Sequence, residues 1–169
     1  MVAEALIFIV LPALLLAAAV WDLASFTIPN FLQIGLLAAF ALLMLVHPLS
    51  ASEFGMHLLA GFVGLVVGFT LFSFGYIGGG DAKLFACMAL WFGMNDLLSY
   101  TLVASVFGGA LTLGLLAMRN WPLPAPLASQ SWLLRLHDDR EGIPYGAALA
   151  AGAFFILSQA EIFRAALDG

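Results

Sequence analysis

Charge is scarce in this chain. Of 169 residues only 9% are Asp, Glu, Lys or Arg, against about 25% in ordinary soluble domains. Hydrophobic residues make up 64% and the mean hydropathy is +1.10. A soluble fold of this length has too little interior to hide that much apolar surface, whereas a bilayer accepts it. Basic residues are scarcer still, five Lys and Arg against ten Asp and Glu, for a net charge of −5. That excludes the basic face that nucleic-acid binding requires. No Lys or Arg precedes Lys83. The apolar stretch Val2–Val20, interrupted only by Glu4, therefore lacks the positive start of a signal peptide and reads as a retained membrane helix. Cysteine is reduced to Cys87, which excludes an internal disulfide and a Cys-based zinc site and leaves packing as its expected role. His47, His57 and His137 have no metal-ligand spacing. Ser73 has no nearby His base, so no Ser-His-Asp triad is credible. Neither a metal nor a cofactor is expected.

Long apolar runs are plentiful. A spanning helix needs about 20 mostly apolar residues. Five stretches come close: Val2–Val20, Phe31–Val46, Phe54–Phe74, Leu97–Met118 and Ile143–Ala160. A sixth, Ala82–Gly93, covers only about 20 Å at 1.5 Å per residue. It is expected to end at a Gly93-Met94-Asn95-Asp96 turn, with Asp96 capping the next helix. The reading is an all-α, polytopic integral membrane protein of about six transmembrane helices, with residues 1–169 forming one membrane-embedded domain. The longest connection, Arg119–Gly142, opens with Pro122, Pro124 and Pro126, which disfavour helix. Its Trp132–Leu136 stretch is either an amphipathic turn on the membrane surface or a solvated tether.

Orientation follows from the few positive charges. With six helices, the connections at 21–30, 75–81 and 119–142 share one side, and Lys83, Arg119, Arg135 and Arg140 fall on or near it. Only Arg164 falls on the other. The positive-inside rule then makes those connections cytoplasmic and both termini periplasmic.

Most acids lie at water-facing ends and read as solvated: Glu4, Glu53, Asp96, Asp138, Asp139, Glu141, Glu161 and Asp168. Asp22 and Asp81 differ. Asp22 closes the first helix; Asp81 opens the fourth, directly after Gly78-Gly79-Gly80. Both fall on the same side at similar depth. Singly, Asp81 is an ordinary helix cap and Asp22 an interfacial acid. Together they form a candidate pair, because two carboxylates in a partly desolvated site do not both ionise easily. One protonated and one charged carboxyl is the acid–base pair that activates water against a peptide carbonyl. The glycines, lacking Cβ, are expected to supply unusual backbone angles and close approach for an extended substrate. Lys83 reads either as a group tuning the pair or as a snorkelling lysine, and Asn30 as a helix cap after Pro29.

Three segments carry a family resemblance. Asp22-Leu23-Ala24-Ser25-Phe26-Thr27-Ile28-Pro29-Asn30 resembles the first catalytic motif of the prepilin leader peptidases, an Asp followed by Ile-Pro-Asn. Gly78-Gly79-Gly80-Asp81-Ala82-Lys83-Leu84 resembles their GxGD motif with its following Lys. Pro144-Tyr145-Gly146 resembles the Pro-aromatic-Gly that opens a late helix. The three occur in the expected order across most of the chain. One departure is the uncharged stretch Leu23–Thr27, where family members often carry Arg or Lys.

The resemblance implies an intramembrane aspartyl endopeptidase with catalytic Asp22 and Asp81. Gly78, Gly79, Gly80, Lys83, Pro29, Asn30, Pro144, Tyr145 and Gly146 would shape the site or bind substrate. It implies removal of short basic leader peptides from type IV (Flp-like) prepilin or pseudopilin precursors, at the cytoplasmic face of the inner membrane. It also implies a short form without the methyltransferase region. The rival reading is a non-catalytic transporter or pilus-assembly subunit using Asp22 and Asp81 as a proton relay. A relay does not require the glycine-flanked motif set.

Overall fold

The computed structural model describes residues 2–124, 126 and 129–160; Glu161, Arg164 and Asp168 lie outside them. Among the described residues there are only helices. They are α1 (Val2–Ser25), α2 (Asn30–Val46), α3 (Ala51–Ser73), α4 (Gly79–Arg119), α5 (Ser131–His137) and α6 (Tyr145–Leu157). Within α1, residues Leu6–Val10 are wound as a π-helix. Three helices, α1, α3 and α4, are long and apolar enough to cross a membrane, and α2 and α6 are shorter apolar helices.

The 41 residues of α4 are not one straight rod. Gly93 has φ 67 and ψ 177, a combination open to glycine and strained for residues with a Cβ. Phe85 and Tyr100 stack with ring centroids 5.7 Å apart, although 15 residues of continuous helix would separate them by about 22 Å. The chain therefore doubles back at Gly93, and residues 79–92 and 94–119 act as two helices. The four-residue turn expected at 93–96 is in fact a one-residue break. Asp96 lies inside the first turn after the break. The break frees the Leu90 carbonyl, which His57 Nδ1 meets at 2.8 Å; this gives His57 a polar partner within the fold.

Several helix pairs approach closely because one partner lacks a side chain. A Cβ at Gly152 of α6 would come within 2.7 Å of the Ala104 Cα in α4, and one at Gly68 of α3 within 2.8 Å of the Ala82 carbonyl oxygen. Small residues at membrane helix crossings allow this packing. It draws α3 and α6 onto α4, which forms the centre of the bundle. Trp91 is fully buried there and donates from its indole to the Leu36 carbonyl at 3.1 Å. Cys87 is buried, as expected, with its thiol 4.0 Å from the Gln33 carbonyl.

The stretch after α4 does form a short helix, α5, with Leu136 buried and Trp132 exposed. Arg119 holds this connection at both ends. Its Nε donates to the Leu136 carbonyl at 2.9 Å and its Nη2 to the Gly142 carbonyl at 3.1 Å. The end of α4 is thereby tied to the residues that lead into α6.

Candidate active site

Among the described residues only three polar or charged side chains are buried: Asp22 (2% exposed), Gln33 (5%) and Asp81 (6%). In so apolar a chain a buried carboxylate is costly unless hydrogen-bonded or placed for a function. Two of the three are the acids singled out by the sequence, and the third packs beside them.

Asp22 sits in the last turn of α1. The helix stops because Phe26 takes a left-handed conformation (φ 54, ψ 27) and donates its N–H to the Asp22 carbonyl at 2.7 Å. A left-handed aromatic residue is uncommon and costs roughly 1 kcal/mol or more. This termination turns the chain sharply, so that Ile28 drops into the interior with 6% exposure. Pro29 then fixes extended backbone and α2 starts at Asn30.

Asp81 lies in the first turn of α4, and its Oδ2 accepts the Gly78 N–H at 3.0 Å. The glycines before it act through close packing rather than through unusual angles. Gly78 is extended at φ −71 and ψ 156, Gly79 and Gly80 are already helical, and the positive-φ glycines of the described chain are Gly75 and Gly93. Gly80 matters for what it touches: a Cβ there would lie 3.2 Å from both the Cβ and the N of Ile28. Gly79 faces the Phe72 ring, 3.4 Å from where its Cβ would stand.

The two carboxyls meet at the start of α6. Pro144, buried, precedes the first turn, and the N–H of Ala147 donates to Asp22 Oδ2 at 3.0 Å. The Gly146 N–H faces both carboxyls. A Cβ on Gly146 would stand 2.9 Å from Asp22 Oδ2, 2.9 Å from Asp81 Oδ1, and in hard contact with Ile28 Cδ1. The two oxygens are thus separated by no more than twice that distance, with Gly146 between them and Ile28 beneath. The N-terminus of a helix, with free N–H groups and the positive end of its dipole, is a suitable place to hold negative charge.

The remaining expected residues frame this centre. Lys83 is exposed and donates to Asn30 Oδ1 at 2.9 Å, joining the Ile-Pro-Asn segment to the Gly-Gly-Asp segment. Asn30 is therefore the first residue of α2 and a receiver for Lys83, not the cap, a place taken by Pro29. Tyr145 turns away from the carboxyls and lies against Gly108. Gln33 and Ile28 are additions that the structure makes. In one orientation the Gln33 amide donates to the Gly80 carbonyl at 3.4 Å. Turned over, it donates to the Pro29 carbonyl at 2.6 Å and the Asn30 carbonyl at 3.3 Å. Either way its amide end is packed among carbonyls from both motif segments. The clue was present in the sequence: Gln33 is the one hydrogen-bonding side chain between Phe31 and Val46. Among the described residues no group of three or more His, Cys, Asp or Glu side chains is arranged to hold a metal ion.

Comparison with known proteins shows the family. Residues 9–113 match the model of the type IV leader peptidase family, a span that includes Asp22 and Asp81. The chain is also 36% identical, over 139 residues, to the prepilin leader peptidase/N-methyltransferase of Bacillus subtilis (strain 168). That alignment covers 78% of this chain and 55% of the relative, so the chain spans about half of that protein's length. No solved structure gives a significant match. On the family match and this relative, the chain belongs to the type IV leader peptidase family.

Proposed function

We propose that the protein is an aspartic endopeptidase that removes short basic leader peptides from type IV prepilin or pseudopilin precursors, with Asp22 and Asp81 as its catalytic pair. The observation that carries this reading is the convergence, on Gly146, of two buried carboxyls 59 positions apart, with Gln33 the one other buried side chain of the polar or charged class among the described residues. In the proposed reaction the ionised carboxyl takes a proton from water as the oxygen attacks the scissile carbonyl carbon. The protonated carboxyl gives its proton to the carbonyl oxygen, forming a gem-diol. The C–N bond then breaks, the leaving amine takes the proton held by the first carboxyl, and the gem-diol returns one to the second. The Gly146 and Ala147 N–H groups hold the charged member in place, and Ile28 keeps the floor of the site apolar and dry.

The test is co-expression with a pilin precursor bearing a basic leader, followed by mass spectrometry of the product. The expected product is the shortened chain with a free, unmethylated N-terminus. The relative's name carries an N-methyltransferase activity as well. Here the first two helices are joined by four residues, 26–29, and the single Cys87 is buried, which leaves no inserted region between those helices to house a methyl-donor site. A methyl group on the new N-terminus that depends on this protein would contradict the second half of the proposal.

Because the reaction requires one carboxyl protonated and its partner ionised, activity is expected to follow a bell-shaped pH profile. The rate should fall on the acid side, where both carboxyls hold protons, and on the alkaline side, where neither does, with the two limbs belonging to the pair. A cleavage rate that rises steadily with pH and never falls would argue for a different mechanism.

We further infer a multi-pass protein of the inner (plasma) membrane with this site toward the cytoplasm. Arg119 ties the connection carrying Arg135 and Arg140 to Gly142, two residues before the helix start that holds the carboxyls. The basic residues and the carboxyl pair thus gather at one end of the bundle, which the positive-inside rule assigns to the cytoplasm. A reporter active only in the cytoplasm, inserted between Asp139 and Arg140, is expected to be active; a silent reporter in a stably inserted protein would reverse the orientation.

A further inference from the structure

The buried stripe of α2 is apolar except at one position. It consists of Leu32, Gln33, Leu36, Ala39, Phe40 and Leu43. Burying the Gln33 amide there is costly unless its hydrogen bonds are made. The amide is not what joins α2 to α4. One turn farther along α2, the Trp91 indole of α4 already donates to the Leu36 carbonyl at 3.1 Å. The amide lies instead between the two segments that carry the carboxyl pair. On one side is the Gly80 carbonyl, joined by a peptide bond to Asp81; on the other are the carbonyls of Pro29 and Asn30, which follow Ile28. An amide donates from one end only, so the carbonyls on its two sides compete for the same N–H groups.

We propose that Gln33 is a positioning residue for the carboxyl pair, its amide fixing the Gly80–Asp81 peptide against the Ile28–Asn30 segment and so the separation of Asp81 from Asp22; this rests on the peptidase reading above. Ile28 is the spacer between the parts of the site. A Cβ at Gly80 would stand 3.2 Å from Ile28, and one at Gly146 would be in hard contact with Ile28 Cδ1. Such contacts resist closer approach only. The Gln33 amide, set between carbonyls of both segments and bonded on one side, also resists sliding of one segment along the other. Asp22 is held separately, by the Ala147 N–H at 3.0 Å. The Gly78 N–H that binds Asp81 belongs to the same turn as Asp81 and moves with it. Loosening the Gln33 contact therefore shifts Asp81 relative to Asp22. Lys83, the charged side chain beside this link, is bonded to Asn30 Oδ1 and is left in place in every variant below.

The test is cleavage of a pilin precursor bearing a basic leader by the whole protein in vesicles, measured across pH. Gln33→Met keeps an unbranched side chain that packs readily but has no N–H to donate. Its kcat is expected to fall about tenfold or more, because small misplacements of reacting groups are expensive, while KM stays near the wild-type value. The bell-shaped pH profile is expected to narrow as well, since carboxyls held farther apart influence each other's protonation less. Gln33→Leu should do the same. Leu36→Met, one turn along the same buried stripe, should leave kcat and the width of the profile unchanged. Neither KM nor that width depends on how much of the protein is folded. Wild-type kcat and profile width in both Gln33 variants would overturn the proposal. So would a rise in KM at unchanged kcat, which would make Gln33 a substrate contact, or an equal loss and narrowing in Leu36→Met, which would make the effect one of packing. Failure of the wild type to cut the precursor would instead remove the peptidase reading, and this proposal with it.

Discussion

Asp22→Asn and Asp81→Asn are each expected to lower cleavage by about 10⁴-fold or more, and the double variant is expected to be hardly worse than either. The two carboxyls act as a unit, so removing one member removes nearly all that the pair supplies. Asparagine preserves shape and can still accept a backbone N–H, so the Ala147 bond to residue 22 and the Gly78 bond to residue 81 can survive. Membrane insertion and abundance should therefore stay normal. What the amide loses is the ability to take a proton from water or to give one to the carbonyl oxygen. Asp96→Asn, on the far side of the Gly93 break, should retain activity. Substantial cleavage by either single variant, measured against equal amounts of inserted protein, would remove the pair as the catalytic centre.

The second large effect is expected at a residue with no functional side chain. Gly146→Ala adds one methyl group to a space bounded by Asp22 Oδ2 and Asp81 Oδ1, each 2.9 Å away, and by Ile28 Cδ1. None of the three can yield freely. Asp22 is tied to Ala147, Asp81 is tied to Gly78, and Ile28 is wedged against Gly80. The methyl group must push the carboxyls apart or tilt α6. Displacements of that order cost about 100-fold in rate when they separate reacting groups, and overpacking costs about 1–3 kcal/mol in stability. Cleavage is expected to fall at least 100-fold while the protein still inserts, and Gly146→Ser should be no better. Near wild-type activity in Gly146→Ala would show that the carboxyls do not work in the arrangement described here.

Much of this was legible from the residues alone, and the reasons differ by element. The helical, membrane-embedded character follows from composition, because so little charge leaves no other way to satisfy the backbone in lipid. Asp22 and Asp81 stood out because an acid at membrane depth is expensive and the two fall on the same side at similar depth, Asp81 directly after three glycines. The late motif at Pro144 was visible as a pattern. That its glycine separates the two carboxyls, and that the following N–H, of Ala147, binds Asp22, is a consequence of packing between elements 125 positions apart. Local reasoning also misplaced roles. Asn30 looked like a helix cap because Asn favours that position, but Lys83, 53 positions away, takes its side-chain oxygen. The triple glycine was read as a source of both unusual backbone angles and close approach; the angles are ordinary, and the close approach is that of Ile28 to Gly80. The break at Gly93 was foreseen, but it is one residue long, since a single positive-φ glycine reverses the chain.

The most direct measurement is cleavage by the purified protein in lipid vesicles, with a pilin precursor carrying a basic leader and the product mass read over time. The account predicts that the precursor is cut once, at the end of its leader, by the wild-type protein, with no metal or cofactor added, and that it stays intact with Asp22→Asn or with Asp81→Asn. A precursor left whole by well-folded wild-type protein, or cut equally well by either variant, would contradict it.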